Sequence, residues 1–154
     1  MKIKKGFYFW AFASLACMIA IFYFSAQNAE ESGELSSSLT NKIFGDNAFI
    51  ETLEVMIRKC AHIIIYAVLS FCAANTIGQI TKKKRYIFYI SLGWSSFYAA
   101  TDEFHQYFVP GRACMWQDWL IDTLGALIGI CAAFLVMRLI ESIKSSGKGL
   151  NSAK

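Results

Sequence analysis

One proline, Pro110, interrupts the 154 residues, and only ten are glycine. That scarcity excludes Pro/Gly-rich linkers and a string of tethered modules. Charged residues make up 17% of the chain, too few for the disordered class. The five cysteines (Cys17, Cys60, Cys72, Cys114 and Cys131) are odd in number and contain no C-x-x-C pair. No disulfide framework is therefore written into the spacing. Three lie in apolar runs and read as small hydrophobes. Cys60 and Cys114 flank polar turns, with nothing that requires a bond between them. H-E-x-x-H and G-x-S-x-G are both missing, which removes the signatures of zinc proteases and of α/β-hydrolases. On spacing alone neither a metal nor any other cofactor is expected, although His62, His105, Asp102, Glu103 and Asp118 are eligible ligands.

What the chain has in excess is apolar surface. Hydrophobic residues make up 56% of it, with thirteen Phe, seven Tyr and four Trp. A soluble domain of this length cannot hide so much. The expected class is an all-α membrane protein, a single domain over residues 1–154.

Four apolar runs, at about residues 7–24, 61–80, 86–104 and 119–140, are long enough to cross a bilayer as helices. The first competes with a signal peptide, but a secretory apolar core is only ~7–15 residues long; an uncleaved helix is expected. Between the first two runs lies a polar connection. In it Leu35, Leu39 and Ile43 recur at helical spacing, and Phe49, Ile50, Leu53, Met56 and Ile57 mark an amphipathic helix. That helix is expected along the extracytoplasmic surface; a flap over the site is the alternative.

Eleven of the fifteen Lys and Arg residues fall in three clusters, at the amino terminus, at Lys82–Arg85 and from Arg138 to Lys154. With four spans all three clusters share one side. Ten of the eleven acidic residues fall on the other, Glu141 being the exception. The positive-inside rule puts both termini in the cytoplasm and the polar turns outside. The net charge of +4 is thus a topology signal, and no nucleic-acid partner is expected.

Side chains three or four apart share a helix face. Arg58, His62, Tyr66 and Ser70 make one polar stripe. Ser91, Ser95, Tyr98, Asp102, His105 and Gln106 make a second. Asp118, Asp122, Gly125 and Gly129 make a third, ending in a G-x-x-x-G pair that lets helices approach closely. Isolated charges facing lipid cost several kcal/mol each, roughly, so the stripes are expected to converge on one outward-facing pocket. Arg58, Lys59 and Arg112 would offset Asp102, Glu103, Asp118 and Asp122 there. The candidate residues are Asp102, Glu103, His105 and His62 for acid–base chemistry, and Arg58, Lys59, Tyr66, Gln106, Arg112, Asp118 and Asp122 for binding.

Plainer roles compete at each position. Arg58 and Lys59 can anchor a helix end at headgroups, Asp118 can be a helix N-cap, and His62 can be a hydrogen-bonded interior histidine. Trp116 and Trp119 suit an interfacial belt.

These residues resemble the VanZ-like family of small bacterial membrane proteins. The resemblance rests on Phe24-Ser25-Ala26-Gln27, Arg58-Lys59 with His62 and Tyr66, Asp102-Glu103 with Gln106, Pro110-Gly111-Arg112, and Asp118, Asp122 and Gly125. It covers roughly residues 10 to 137. The family commonly has Asn where this chain has Asp122. It is named for a protein associated with resistance to the glycopeptide teicoplanin, and it supplies no settled reaction. The resemblance implies a location in the bacterial cell membrane. Membrane lipids, a lipid-linked envelope precursor or a lipoglycopeptide are the implied partners. A non-catalytic assembly protein whose polar cluster is an interhelical network is the alternative. A channel is the weaker one, because Phe134, Leu135 and Val136 offer no polar path through the cytoplasmic half.

Overall fold

The computed structural model describes residues 5–26, 50–110, 112 and 114–151, with side chains described at 5–26, 56–110, 112 and 114–146. Among these residues the protein is all-helical. Its four helices are α1 (Lys5–Ser25), α2 (Ile50–Ile80), α3 (Lys84–Gln106) and α4 (Trp116–Asn151). Each of the four expected spans lies inside one of them.

Three are long and apolar enough to cross a membrane, in the stretches Lys5–Ser25, Met56–Ile80 and Trp116–Ser146. The 23 residues of α3 rise about 34 Å, ample length. Its composition is more polar because it carries Ser91, Ser95, Ser96, Thr101, Asp102 and Glu103.

The expected amphipathic helix meets a different outcome. From Ile50 the chain continues without a break into the apolar part of α2, so the 50–57 stretch is the first two turns of that helix. No Gly or Pro stands between Ile50 and Ile80 except Gly78, and nothing else in the sequence forces a stop. Phe49 and the Leu35–Ile43 repeat lie outside the described residues.

The helix α2 is central. It packs most extensively against α4, and also against α1 and α3; α3 lies against α4 and touches α1 lightly. Two apolar clusters form the core. One joins Ile21, Tyr66, Leu69 and Ala99, with Trp119 against it. The other joins Ala74, Ile87, Ile130 and Ala133. So much alanine in the core lets backbones come close, which is how helices associate where apolar surroundings offer no hydrophobic drive. The large side chains face outward instead: Phe12, Ile64, Phe97, Leu124, Leu135 and Ile143 are all more than half exposed. This inside-out distribution fits a lipid-facing surface and not a solvated one.

The polar turn after α3 is built by its last residues. Backbone N–H groups of Phe108 and Val109 donate to the carbonyls of His105 and Gln106, three residues back, at 3.0 Å each. The chain then reaches Pro110, which has no N–H to continue the helix. Reversal there carries the chain to α4. It sets the end of α3, the start of α4 and the first half of α2 beside one another.

Candidate functional site

The three polar stripes meet at that end of the bundle. From α2 come Lys59, His62 and Tyr66; from α3, Asp102, Glu103 and Gln106; from α4, Asp118 and Asp122. Asp102, Glu103, Gln106, Tyr66 and Asp122 are buried, although a buried carboxylate is costly without partners.

Their partners are only partly supplied. The Gln106 side-chain amide donates to Asp102 Oδ2 at 3.1 Å, one helical turn away on α3. Arg112 reaches Gln106 Oε1 at 3.5 Å, so the turn is tied to α3. The backbone N–H of Met115, just before α4, donates to Glu103 Oε2 at 3.0 Å. That bond fixes the entry of α4 against the exit of α3. His62 Nδ1 stands 3.4 Å from Asp122 Oδ1, and the His62 ring lies over that of Tyr66.

Several buried atoms have no hydrogen-bond partner: both carboxylate oxygens of Asp122, Oε1 of Glu103, the Tyr66 hydroxyl and Nδ1 of His105. Fully buried polar groups are normally satisfied, so a cluster of exceptions asks for a ligand, a water or an ion. Among the titrating groups outside the apolar helices, Arg112 is pulled below the usual guanidinium range, chiefly by burial and then by the charge of Arg58. Asp102 and Glu103 act in the opposite direction. Arg112 is thereby a cation held next to acidic groups, suited to an anionic partner.

Other expected residues are placed apart. His105 turns toward α1, with its ring centroid 4.6 Å from that of Phe22, and makes no hydrogen bond to Asp102. The Tyr98 hydroxyl donates to the carbonyl of Met18 on α1 at 2.6 Å, which makes it a bundle contact. Lys59 Nζ pairs with Asp118 Oδ1 at 2.9 Å, joining α2 to α4. Asp118 is in the first turn of α4, not at its N-cap, where a negative charge still complements the helix dipole. Arg58 is partly buried.

The glycines of α4 act as the G-x-x-x-G spacing implies. A methyl on Gly125 would stand 2.5 Å from the Ile63 carbonyl, and one on Gly129 would collide with the Ala67 carbonyl. Beside them the Ser70 hydroxyl donates to the Ala126 carbonyl at 2.7 Å.

Sequence reasoning missed Trp119 as a partly buried contact between α4 and α3. Its indole N–H donates to the Ser96 carbonyl at 3.1 Å, and Ser96 pairs with Thr123 at 3.1 Å. Helical spacing could have shown this, because Trp119 and Thr123 lie one turn apart. Cys60 and Cys114 are both exposed and free. A separate cavity of about 300 Å³ opens between α1, α2 and α3, lined by Ser14, Met18, Thr76, Ser91 and Trp94 among others. It is almost wholly apolar and is not the polar cluster.

The family description that matches is VanZ/LLP1, over residues 9–138. No curated protein and no solved structure matches the chain.

Proposed function

The chain belongs to the VanZ/LLP1 family, and we propose on that premise that it lowers the effect of teicoplanin-type glycopeptides. It is a single-domain, multi-pass protein of the bacterial cell membrane. It works by binding or modifying a lipid-linked envelope component, or the lipid-anchored drug, in a polar pocket open to the outer face.

The observation that carries this reading is the burial of acidic and polar side chains from three helices at one end of an otherwise apolar bundle. Groups so costly to keep are functional by default. Arg112, with Arg58 near it, suits an anionic headgroup such as a phosphate. In the modifying version a histidine moves the proton. His62, beside Asp122, has the carboxylate neighbour that His105 lacks.

For the topology, α3 is the fourth span. Its polar side chains Ser91, Ser95, Asp102, Glu103 and Gln106 turn inward, while Tyr86, Tyr89, Trp94, Phe97 and Phe104 are at least half exposed. Its low apolar content therefore comes from the face that other helices cover. Four spans place both termini in the cytoplasm and the polar end outside, with the amphipathic first turns of α2 at the outer surface.

The test is growth inhibition by teicoplanin, with vancomycin as comparator, in cells expressing the protein or its Asp102→Asn, His62→Gln and Arg112→Lys variants at equal membrane levels. Teicoplanin-selective protection that is lost in the variants supports the pocket. Absence of protection by the parent protein refutes the reading. Protection that survives all three favours the second reading, an assembly protein whose polar groups form an interhelical network. The Lys59–Asp118 bridge between α2 and α4 is the contact that speaks for it.

A further inference from the structure

We propose that His62, Asp102 and Asp122 hold a divalent first-row metal ion, of the Zn²⁺ or Mn²⁺ class. The three come from α2, α3 and α4, and one ligand atom from each lies within 4.8 Å of the other two. Asp102 is 4% exposed and Asp122 1%. The site goes beyond the glycopeptide reading and stands whether or not that reading holds.

Geometry comes first. Ligand atoms bound at about 2.0–2.2 Å around a tetrahedral ion sit roughly 3.4 Å apart. The pair His62 Nδ1 and Asp122 Oδ1 is already at 3.4 Å, and an oxygen of Asp102 lies within 4.8 Å of both. One imidazole nitrogen with two carboxylate oxygens suits Zn²⁺, Mn²⁺ or Fe²⁺ better than Mg²⁺ or Ca²⁺, which prefer oxygen alone.

Two further observations point to a missing ligand. Neither oxygen of the Asp122 carboxylate has a hydrogen-bond partner, although a buried carboxylate ordinarily collects several. The Tyr66 hydroxyl, 0% exposed and also unpartnered, stands within electrostatic reach of both Asp102 and Asp122. A metal with a bound water would satisfy both at once.

Charge gives the same answer. Two buried carboxylates in one small volume repel each other, and Glu103 adds a third close by. Lys59 is drawn off by Asp118. Arg112 donates to Gln106 Oε1, and the Gln106 amide donates to Asp102. A divalent ion would neutralise the pair directly, and the Gln106–Asp102 bond would then be the outer contact that orients a ligand.

Three protein ligands leave coordination positions open, as in sites that also take a water or a substrate oxygen. The chemical class of ligand that completes the site is an anionic oxygen donor such as a phosphate ester. With a cation in place, His62 is a ligand and not the proton carrier.

The test is metal content of the full-length protein, purified in detergent, loaded separately with Zn²⁺ and Mn²⁺ and then desalted. The expected result is about one ion per chain for one of the two metals. Asp122→Asn and His62→Gln should each reduce it by roughly ten-fold or more, while the exposed Lys83→Ala leaves it unchanged. Asp122→Asn is the informative variant, because it keeps the side-chain shape and removes the charge. A loaded parent protein holding under ~0.1 ion per chain of either metal overturns the proposal, whatever the variants do. So does undiminished metal in both folded variants, which would place the ion elsewhere. In either case a protonated His62 paired with Asp122 accounts for the contact. If neither variant accumulates, Co²⁺-loaded parent protein decides: visible bands of a nitrogen- and oxygen-ligated ion support the site, and a spectrum of free aqueous Co²⁺ overturns it.

Discussion

Gly129 of α4 stands directly against the backbone carbonyl of Ala67 on α2, with no room for a methyl group between them. Backbone cannot swing aside as a flexible side chain can, so Gly129→Ala must push two helices apart. Overpacking of this kind costs about 1–3 kcal/mol. The expected outcome is a lower Tm in detergent and reduced membrane accumulation. Gly125→Ala, facing the Ile63 carbonyl, should behave alike. Gly93, with nothing nearby, is the control: Gly93→Ala should leave packing unchanged. Unaltered melting of Gly129→Ala would show that α2 and α4 are free to slide.

The Ser70 hydroxyl next to this contact is held more gently. Ser70→Ala removes its bond to the Ala126 carbonyl without adding volume. Interhelical hydrogen bonds of membrane proteins average about 0.6 kcal/mol. The Tm of Ser70→Ala should therefore fall less than that of Gly129→Ala. A larger fall would mean that the hydroxyl, and not the glycine contact, holds α2 to α4.

The Lys59–Asp118 bridge joins the same two helices, yet its side chains are 42% and 31% exposed. Solvent screens such a pair, so its coupling in a double-mutant cycle with Lys59→Ala and Asp118→Ala should be roughly 0.2–1 kcal/mol. It should shrink as salt is raised. A coupling several-fold larger, insensitive to salt, would show that this bridge is sheltered and structural.

Asp102→Asn separates function from architecture. Its remaining oxygen still accepts from Gln106, so the protein should accumulate and melt within ~1 kcal/mol of the parent. Teicoplanin protection should be lost. Glu103→Gln, which keeps an acceptor for the Met115 N–H, should likewise spare the fold. Loss of accumulation in both would reassign the two carboxylates to assembly.

Topology has its own readout. Cys114, exposed in the turn before α4, should react with a membrane-impermeant maleimide in intact cells. Lys83→Cys, in the α2–α3 connection on a background lacking other exposed cysteines, should react only after permeabilisation. The reverse pattern would invert the orientation.

The sequence by itself determined the class of the protein. Composition and the long apolar runs, three of which form helices apolar enough to cross a membrane, called for helices with apolar exteriors, because backbone polar groups in lipid must be bonded within the segment. The i, i+4 spacing of His62 with Tyr66, Asp102 with Gln106, and Asp118 with Asp122 placed each stripe on a face. The glycine pair named the face of α4 that another helix would meet. These are local properties, and local geometry is what periodicity reports.

Only tertiary structure decided which stripes meet atom to atom. Nothing in the spacing pairs His62 with Asp122 and leaves His105 against Phe22, since the rotation of one helix about its axis relative to another depends on packing. The Gly129–Ala67 contact sets the separation of α2 and α4, and the Met115–Glu103 bond sets the join between α3 and α4. Together they bring one histidine and two aspartates from three helices into one buried group. No motif in a linear chain could announce a buried cluster assembled from residues 40 and 20 positions apart.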